Sequence, residues 1–172
     1  MALIYITGPP GAGKSTLEQE LRNRGLETYD MDDPMLGGAH NKVTGERVEI
    51  PPAAYRAENW FQEHEWRTSR PAIQQLKDRG AASTILLCGV APDDAGLLPL
   101  FDIIMYLDVD EETLTQRLLN REGNDYGKNP FELVEILQRS QELHHRYAKL
   151  GVVMIDGALQ PQKIIDFILD NI

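Results

Sequence analysis

The sequence predicts an α/β fold with a five-stranded parallel sheet between two layers of helices. Strand-like and helix-like segments alternate about five times along the chain, which is typical of a parallel sheet with right-handed crossovers. The apolar runs at 83–90 and 101–109 are continuous rather than alternating, as expected of strands buried on both faces. The chain has 172 residues, the length of one ordinary domain. We therefore expect residues 1–172 to form a single domain.

The first strand, predicted at 2–7, leads directly into a glycine-rich loop. The run GPPGAGKST at 8–16 fits the pattern G-x-x-x-x-G-K-[ST]. Glycines allow backbone N–H groups to close around phosphate oxygens, the lysine reaches the β- and γ-phosphates, and the serine hydroxyl ligates Mg²⁺. A helix predicted to run to about residue 24 adds the positive end of its dipole. The candidate nucleotide-binding residues are Gly8, Pro9, Gly11, Ala12, Gly13, Lys14, Ser15 and Thr16.

A cluster of carboxylates ends the second predicted strand, at 26–33. Asp30, Asp32 and Asp33 precede Pro34, and the carboxyl ends of parallel strands are where ligands gather. A carboxylate there can orient or deprotonate the hydroxyl that accepts a phosphoryl group, and can also bind Mg²⁺. Asp32 is the first candidate for both roles, with Asp30 the alternative as base, while Asp33 could cap the turn. A solvated turn would explain the same three residues.

Residues 34–80 are predicted to form an insertion around the acceptor site. We expect a loop at 34–52 with a small hairpin around Thr44-Gly45, a helix at about 53–67 and another from Pro71 to Gly80. An aromatic and basic set could form an acceptor pocket, with an arginine for an anionic group. Ordinary helix packing would explain its aromatic members equally well. The set is Tyr55, Arg56, Trp60, Phe61, His64, Trp66, Arg67 and Arg70.

Two arginines lie four residues apart on the helix predicted to follow the N-cap Asp110. Arg121 is in line with the apolar face of that helix, and Arg117 is its neighbour. A guanidinium on an inward face needs an anionic or aromatic partner, such as the transferring phosphate or an adenine ring. Ion pairs with nearby glutamates on a surface helix are the alternative. Both arginines are candidate catalytic residues, and Arg117 is also a candidate for nucleotide binding.

A glycine-rich break after this helix predicts a lid at about 121–130. Two glycines flank Asn124-Asp125-Tyr126, as in a hinged segment that closes over phosphates, although a plain turn would look the same. Asn129 is then a predicted N-cap of a long helix ending at Gly151. Arg139 and Arg146 on that helix could add charge to the site, and the alternative is that each is an ordinary surface residue. A last strand at 152–156 and a closing helix complete the chain.

Composition excludes several classes of function. The net charge of −10 argues against a nucleic-acid groove. The lone Cys88 lies in an apolar run and is interpreted as a core residue. No apolar stretch approaches 18 residues and no signal-peptide pattern is present, so we expect no membrane partner and a cytoplasmic location. Oligomeric state is left open between monomer and homodimer.

Taken together, these features resemble the small P-loop metabolite and nucleotide kinases, the group that contains adenylate, shikimate and gluconate kinases. The run at 8–16 resembles their phosphate loop, and Asp30-Met31-Asp32 resembles the D-x-D of shikimate kinases. Arg117 to Arg121 is similar to the R-x-x-x-R that opens the lid of adenylate kinases. The third strand lacks the Asp-Gly of nucleoside monophosphate kinases. The chain is also similar to bacterial ATP-binding kinase-like proteins without an assigned substrate.

The resemblance implies a P-loop NTPase fold and an ATP- and Mg²⁺-dependent kinase acting on a small metabolite, nucleoside or nucleotide. Lys14, Arg117 and Arg121 would stabilise charge, Ser15 and Asp32 would serve Mg²⁺, and Asp32 would orient the acceptor. The alternative is a nucleotide-binding regulatory ATPase without a small-molecule acceptor. GTPase activity is disfavoured because no Asn-Lys-x-Asp signature is present, and motor or AAA+ activity because no second domain would carry contacts in trans.

Overall fold

The computed structural model describes residues 1–52, 60–91 and 95–172. Along the chain, the helices and strands of these residues are β1 (Leu3–Thr7), α1 (Lys14–Asn23), β2 (Glu27–Asp30), β3 (Gly37–Asn41), β4 (Arg47–Val48), α2 (Trp60–Glu63), β5 (His64–Thr68), α3 (Arg70–Gly80), β6 (Ile85–Cys88), β7 (Ile103–Asp108), α4 (Glu111–Asn120), α5 (Pro130–Leu150), β8 (Val153–Asp156) and α6 (Pro161–Asp170). A short 3₁₀ helix covers Leu98–Leu100.

Five of these strands form one parallel sheet of order β2-β6-β1-β7-β8, which confirms the predicted fold class. β1 lies at the centre, where Ile6 pairs with Cys88 of β6 and Thr7 pairs with Tyr106 of β7. β2 reaches the same edge, because Asp30 pairs with Cys88. The glycine-rich loop therefore leaves the middle of the carboxyl edge, and the aspartate cluster follows the strand two positions away.

Helices cover both faces of this sheet. Alternate residues of the central strands point to opposite sides, so Ile4 and Ile6 of β1 belong to one apolar cluster and Leu3 and Tyr5 to another. The first cluster includes residues of α1, α4, α5 and α6, and the second includes residues of α3. The central strands are buried on both sides, as their continuous apolar runs predict.

The insertion between β2 and β6 differs from the prediction. The hairpin around Thr44-Gly45 is confirmed, since β3 and β4 pair antiparallel with His40 opposite Arg47. The helix predicted at 53–67 is wrong from His64 onward, because His64–Thr68 is strand β5 and pairs with β3. The spacing of its aromatic residues suits a helix, but β5 alternates between half-buried and exposed side chains. Tyr55 and Arg56 lie outside the described residues.

The capping residues predicted for the later helices are confirmed. Asp110 accepts a hydrogen bond from the Thr113 N–H at 2.8 Å, and Asn129 accepts one from the Phe131 N–H at 2.9 Å. Arg121 differs from the prediction: α4 ends at Asn120, and Arg121 follows it with extended backbone. Among the described residues, no helix combines the length and apolar character needed to span a membrane.

Candidate active site

The glycine-rich loop has the backbone geometry of an anion cradle. Gly8 and Gly13 have φ values of +154° and +99°, which glycine adopts readily. A Cβ at Gly8 would lie 2.7 Å from the carbonyl oxygen of Leu107. Gly13 is the N-cap of α1 but supplies no side-chain hydrogen bond, and the first turn of α1 contains no acidic residue. The backbone N–H groups at the start of α1 therefore suit phosphate oxygens.

Lys14 is held inside this loop by the loop's own carbonyl groups. Its Nζ donates hydrogen bonds to the backbone oxygens of Gly8 and Pro9, both at 2.8 Å. Burial lowers the pKa of Lys14 to about 8, although the charges of Asp32 and Asp30 act in the opposite direction. The amine therefore titrates near neutral pH, whereas a lysine ordinarily titrates above pH 10.

The three predicted carboxylates have different surroundings. Asp30 accepts a hydrogen bond from the Asp32 N–H at 2.9 Å, so the two residues form one turn. Desolvation, followed by the charge of Asp30, raises the pKa of Asp32, and the Lys14 ammonium opposes both effects. Asp33 instead accepts a hydrogen bond from the Met35 N–H at 2.8 Å. Asp33 thus caps the turn, whereas Asp32 is electrostatically coupled to Lys14.

The two predicted arginines both contact backbone carbonyl groups. Nη1 of Arg117 donates to the oxygen of Gly157 at 2.9 Å and lies 3.5 Å from that of Ala12, so it joins the glycine-rich loop to the end of β8. Arg121 donates to the oxygen of Asn124 at 3.1 Å and to that of Tyr126. Burial lowers the pKa of Arg121. Both guanidinium groups are thus positioned by the loops that surround them.

One cavity of about 1320 Å³ brings these groups together. Of the predicted site residues, it is lined by Gly11, Ala12, Gly13, Lys14, Ser15, Thr16, Asp30, Asp32, Arg117 and Arg121. Gly8 and Pro9 do not line it but hold the amine of Lys14. This cavity is larger than typical pockets for drug-sized ligands, so it has room for a nucleotide together with a second molecule.

Only some residues of the predicted aromatic and basic set line the cavity. His64 and Trp66 line the cavity. Arg67 pairs with Glu65 instead, and Arg70 donates to the backbone oxygen of Gly96, so neither is among the lining residues. The hypothesis that an arginine of this set holds an anionic acceptor group is therefore not supported for Arg67 and Arg70, and Arg56 lies outside the described residues.

Sequence reasoning missed two parts of the lining. Lys42, directly after β3, lies in a segment predicted as loop, and nothing in its local pattern distinguishes it. Gly157, Leu159, Pro161 and Ile164 line the opposite end of the cavity. They follow β8, so the rule that ligands gather at the carboxyl ends of strands could have found them. Arg139 of α5 also lines the cavity, while Arg146 lines a separate cavity of about 190 Å³.

Ser15 and Asp32 fit the predicted magnesium site by chemistry. Mg²⁺ prefers oxygen ligands and combines one or two protein groups with phosphate oxygens. Ser15 and Asp32 line the same cavity, and both residues remain accessible to solvent. Among the described residues there is no cluster of three or more His, Cys, Asp and Glu side chains suited to a metal ion. A bound ion would therefore depend on nucleotide phosphates for most of its remaining ligands.

Comparison with known proteins supports this picture of the fold. A family model described as an AAA domain matches residues 4–138. This match identifies the type of domain and does not test for motor activity. The absence of motor activity therefore stays a prediction. No curated protein matches the chain.

Several small kinases are among the solved structures with the same fold. Shikimate kinase from Bacteroides thetaiotaomicron has a TM-score of 0.59 and 16% identity, over 98% of this chain and 97% of that chain. Deoxyadenosine kinase from M. mycoides with bound dATP has a TM-score of 0.55 and 18% identity, over 98% of both chains. A gluconokinase from Sinorhizobium meliloti 1021 has a TM-score of 0.52 and 16% identity, over 95% of this chain and 86% of that chain. These likenesses confirm the predicted fold of the small P-loop kinases.

Proposed function

This chain belongs to the AAA domain family, and from that premise we propose that it is an ATP- and Mg²⁺-dependent kinase that phosphorylates a small molecule. The observation that carries the proposal is the coupling of Lys14 and Asp32 in a single cavity. A phosphate-binding amine and a partly desolvated carboxylate are the two groups that transfer to a hydroxyl requires. The kinases named among the solved structures with this fold support the same class of reaction.

ATP would occupy the part of the cavity between the glycine-rich loop and the residues after β8. Backbone N–H groups at 11–16 and the Lys14 ammonium would bind its phosphates. Arg117 lies between Ala12 and Gly157, where the flat guanidinium can pack on the adenine ring. Arg121, held beside Asn124 and Tyr126, would approach the γ-phosphate from the lid side. Occupation by phosphates would replace the bonds of Lys14 to the backbone of the loop.

The acceptor would bind on the side of Asp32. Its hydroxyl oxygen attacks the γ-phosphorus, the bond from that phosphorus to the β-γ bridging oxygen breaks, and ADP leaves. Asp32 accepts the proton of the hydroxyl, while Lys14 and Arg121 stabilise the charge on the transferring group. Mg²⁺, held by Ser15 and Asp32, would neutralise phosphate charge.

A transfer screen with two matched aspartate variants tests the proposal. Radiolabelled ATP is incubated with the protein and a metabolite pool, and labelled products are separated. We expect Lys14→Ala and Asp32→Asn to lose transfer by about 100-fold or more, within the range for acid–base and electrostatic groups. Asp33→Asn is the control, because Asp33 caps a turn and an amide oxygen can still accept from Met35.

ATP binding, measured by calorimetry, separates the possible results. Asp32→Asn should still bind ATP within a few-fold of the native protein. Hydrolysis of ATP without any labelled product, unchanged in Asp32→Asn, would contradict the kinase and favour the regulatory ATPase.

A further inference from the structure

The antiparallel sheet of the insertion supplies one wall of the cavity. This acceptor wall consists of Lys42, His64 and Trp66, which line the same cavity as Lys14 and Asp32. His64 and Trp66 alternate along β5 and therefore project from the same face of the small sheet. The proposed roles in ATP binding and in the transfer step use none of these three side chains. Their chemistry therefore bears on the class of acceptor.

Trp66 offers carbon surface to this cavity. Its Nε1 is buried and has no hydrogen-bond partner among the described residues. That atom packs on β3, since a Cβ at Gly37 would lie 2.8 Å from it. The side chain is only partly buried, so what it presents to the cavity is the hydrocarbon part of the indole. A flat carbon surface favours a rigid ring that can lie against it.

One ring nitrogen of His64 is fixed by a hydrogen bond, and the other has no hydrogen-bond partner among the described residues. Its Nδ1 lies 2.8 Å from the backbone oxygen of Trp60. A carbonyl only accepts, so Nδ1 carries the proton and the neutral ring keeps a lone pair on Nε2. The imidazole also stacks on Trp60, with ring centroids 4.3 Å apart and planes inclined by 14°. His64 is thus a pre-oriented acceptor for a hydroxyl group.

The charges beside the wall do not favour a strongly anionic ligand. Lys42 lines the cavity, but its Nζ already donates to the backbone oxygen of Gln62 at 2.8 Å. Asp30 and Asp32 line the same cavity, as does Glu65, whose carboxylate is paired with Arg67. The two aspartates would oppose an anionic group placed beside them, whereas hydroxyl groups can bond with both carboxylates and amines.

We propose that the acceptor is a hydroxylated ring, namely a sugar ring that is free or part of a nucleoside. This inference rests on the proposed kinase function and names its substrate class. One face of the ring packs on Trp66, a hydroxyl donates to His64 Nε2, and the reacting hydroxyl lies at Asp32. That hydroxyl forms the new bond to the γ-phosphorus, loses its proton to Asp32, and ADP leaves. An acyclic polyol or hydroxy acid would have to lose its internal freedom to make the same contacts.

The tryptophans give a binding test that does not need turnover. The chain has two tryptophans, Trp60 and Trp66, one stacked on His64 and one lining the cavity. With a non-hydrolysable ATP analogue present, the native protein is titrated with adenosine, cytidine, ribose and glucose, and in parallel with glycerol and gluconate. We expect a saturable change in tryptophan emission with ring compounds. Adenosine or cytidine acting alone identifies a nucleoside, and ribose or glucose identifies a free sugar.

Variants of the wall test the assignment of Trp66. For the best ring acceptor, Trp66→Leu should raise the acceptor KM about tenfold, and should leave the KM for ATP within about twofold. Trp66→Phe should recover most of the loss, which guards against a folding defect in the leucine variant. Phe131→Leu is the control, because Phe131 is 79% exposed at the start of α5 and does not line the cavity.

The outcomes separate this inference from the kinase proposal. Phosphorylation of glycerol or gluconate in preference to every ring compound would overturn the ring acceptor and leave the kinase standing. An unchanged acceptor KM in Trp66→Leu would also overturn it. If no compound is phosphorylated, saturable binding of a ring compound still supports the wall as a ring site, and the absence of any emission change rejects it.

Discussion

At the scale of single residues, the lowered pKa of Lys14 predicts that ATP affinity depends on pH. Phosphate binding needs the ammonium form, but burial lowers its pKa to about 8 in the nucleotide-free protein. Above pH 8, most molecules of the nucleotide-free protein lack this proton. Binding of ATP must then be accompanied by uptake of a proton from the solvent. We expect ATP affinity to be nearly constant below pH 7 and to fall as pH rises beyond 8.

Calorimetry in buffers of different ionisation enthalpy measures that proton directly. At pH 8.5, a pKa of about 8 corresponds to an uptake of roughly 0.8 proton per ATP bound. Lys14→Met should take up none at this pH. Equal uptake in the native protein and the methionine variant would assign the proton to another group.

The turn after β6 leads to a second prediction at the scale of single residues, which concerns the free energy of unfolding. Gly89 has φ of +153°, and a Cβ there would overlap the Met31 side chain. We expect Gly89→Ala to reduce the free energy of unfolding by about 2–4 kcal/mol, from backbone strain and overpacking. Urea denaturation measures the change. Gly96→Ala is the matched control, because none of the described atoms lies within 4 Å of a Cβ placed there, and a similar loss in that variant would refute the steric explanation.

At the scale of elements, α5 depends on the cap that begins it. Asn129 accepts from the Phe131 N–H at 2.9 Å and starts a helix of 21 residues that carries Arg139 to the cavity. Asn129→Ala should cost about 1 kcal/mol of stability in urea denaturation, because one N–H loses its partner. Asn129→Asp keeps an acceptor and should cost little. Equal losses in both variants would show that the cap is not the cause.

The parallel sheet was predictable because its signals are local. The apolar runs of β1, β6 and β7, and the caps Asp110 and Asn129, can each be recognised within a few residues. β5 could not be found this way, since it exists through pairing with Gly37–Asn41, a segment with two glycines and little strand propensity. An aromatic residue can be buried in either secondary structure, so its presence did not decide between them. Residues 64–68 form a strand because they pair with β3, which lies far away in the sequence.

In the candidate site, too, local signals could be predicted from the sequence, whereas contacts between distant segments could not. The glycine-rich loop and the aspartates could be placed from one motif and one rule about strand ends. Arg121 could be named but not placed, because the end of α4 depends on the carbonyls of Asn124 and Tyr126. Lys42 could not be named, since its position beside the cavity depends on the small antiparallel sheet. Contacts between distant segments account for each omission.

The whole molecule should respond to nucleotide as one unit. A ligand that binds only the folded state adds about 2.7 kcal/mol at 100 times its Kd. For a chain of 172 residues this corresponds to a rise in Tm of about 5–10 °C. We expect ATP with Mg²⁺ to produce that rise in a thermal-unfolding assay, and EDTA to reduce it. A similar rise in Lys14→Ala would place the bound nucleotide elsewhere.

The central place of β1 bears on how the protein emerges from the ribosome. β1 is synthesised well before its two neighbours in the sheet, β6 and β7, which begin at Ile85 and Ile103. Arg117 reaches back 105 positions to Ala12, and Gly157 completes its contacts. A nascent chain that stops short of Gly157 therefore has the phosphate-binding motif without the groups that enclose a nucleotide. If the proposed ATP site is correct, a nascent chain should acquire it only after Gly157 has been synthesised.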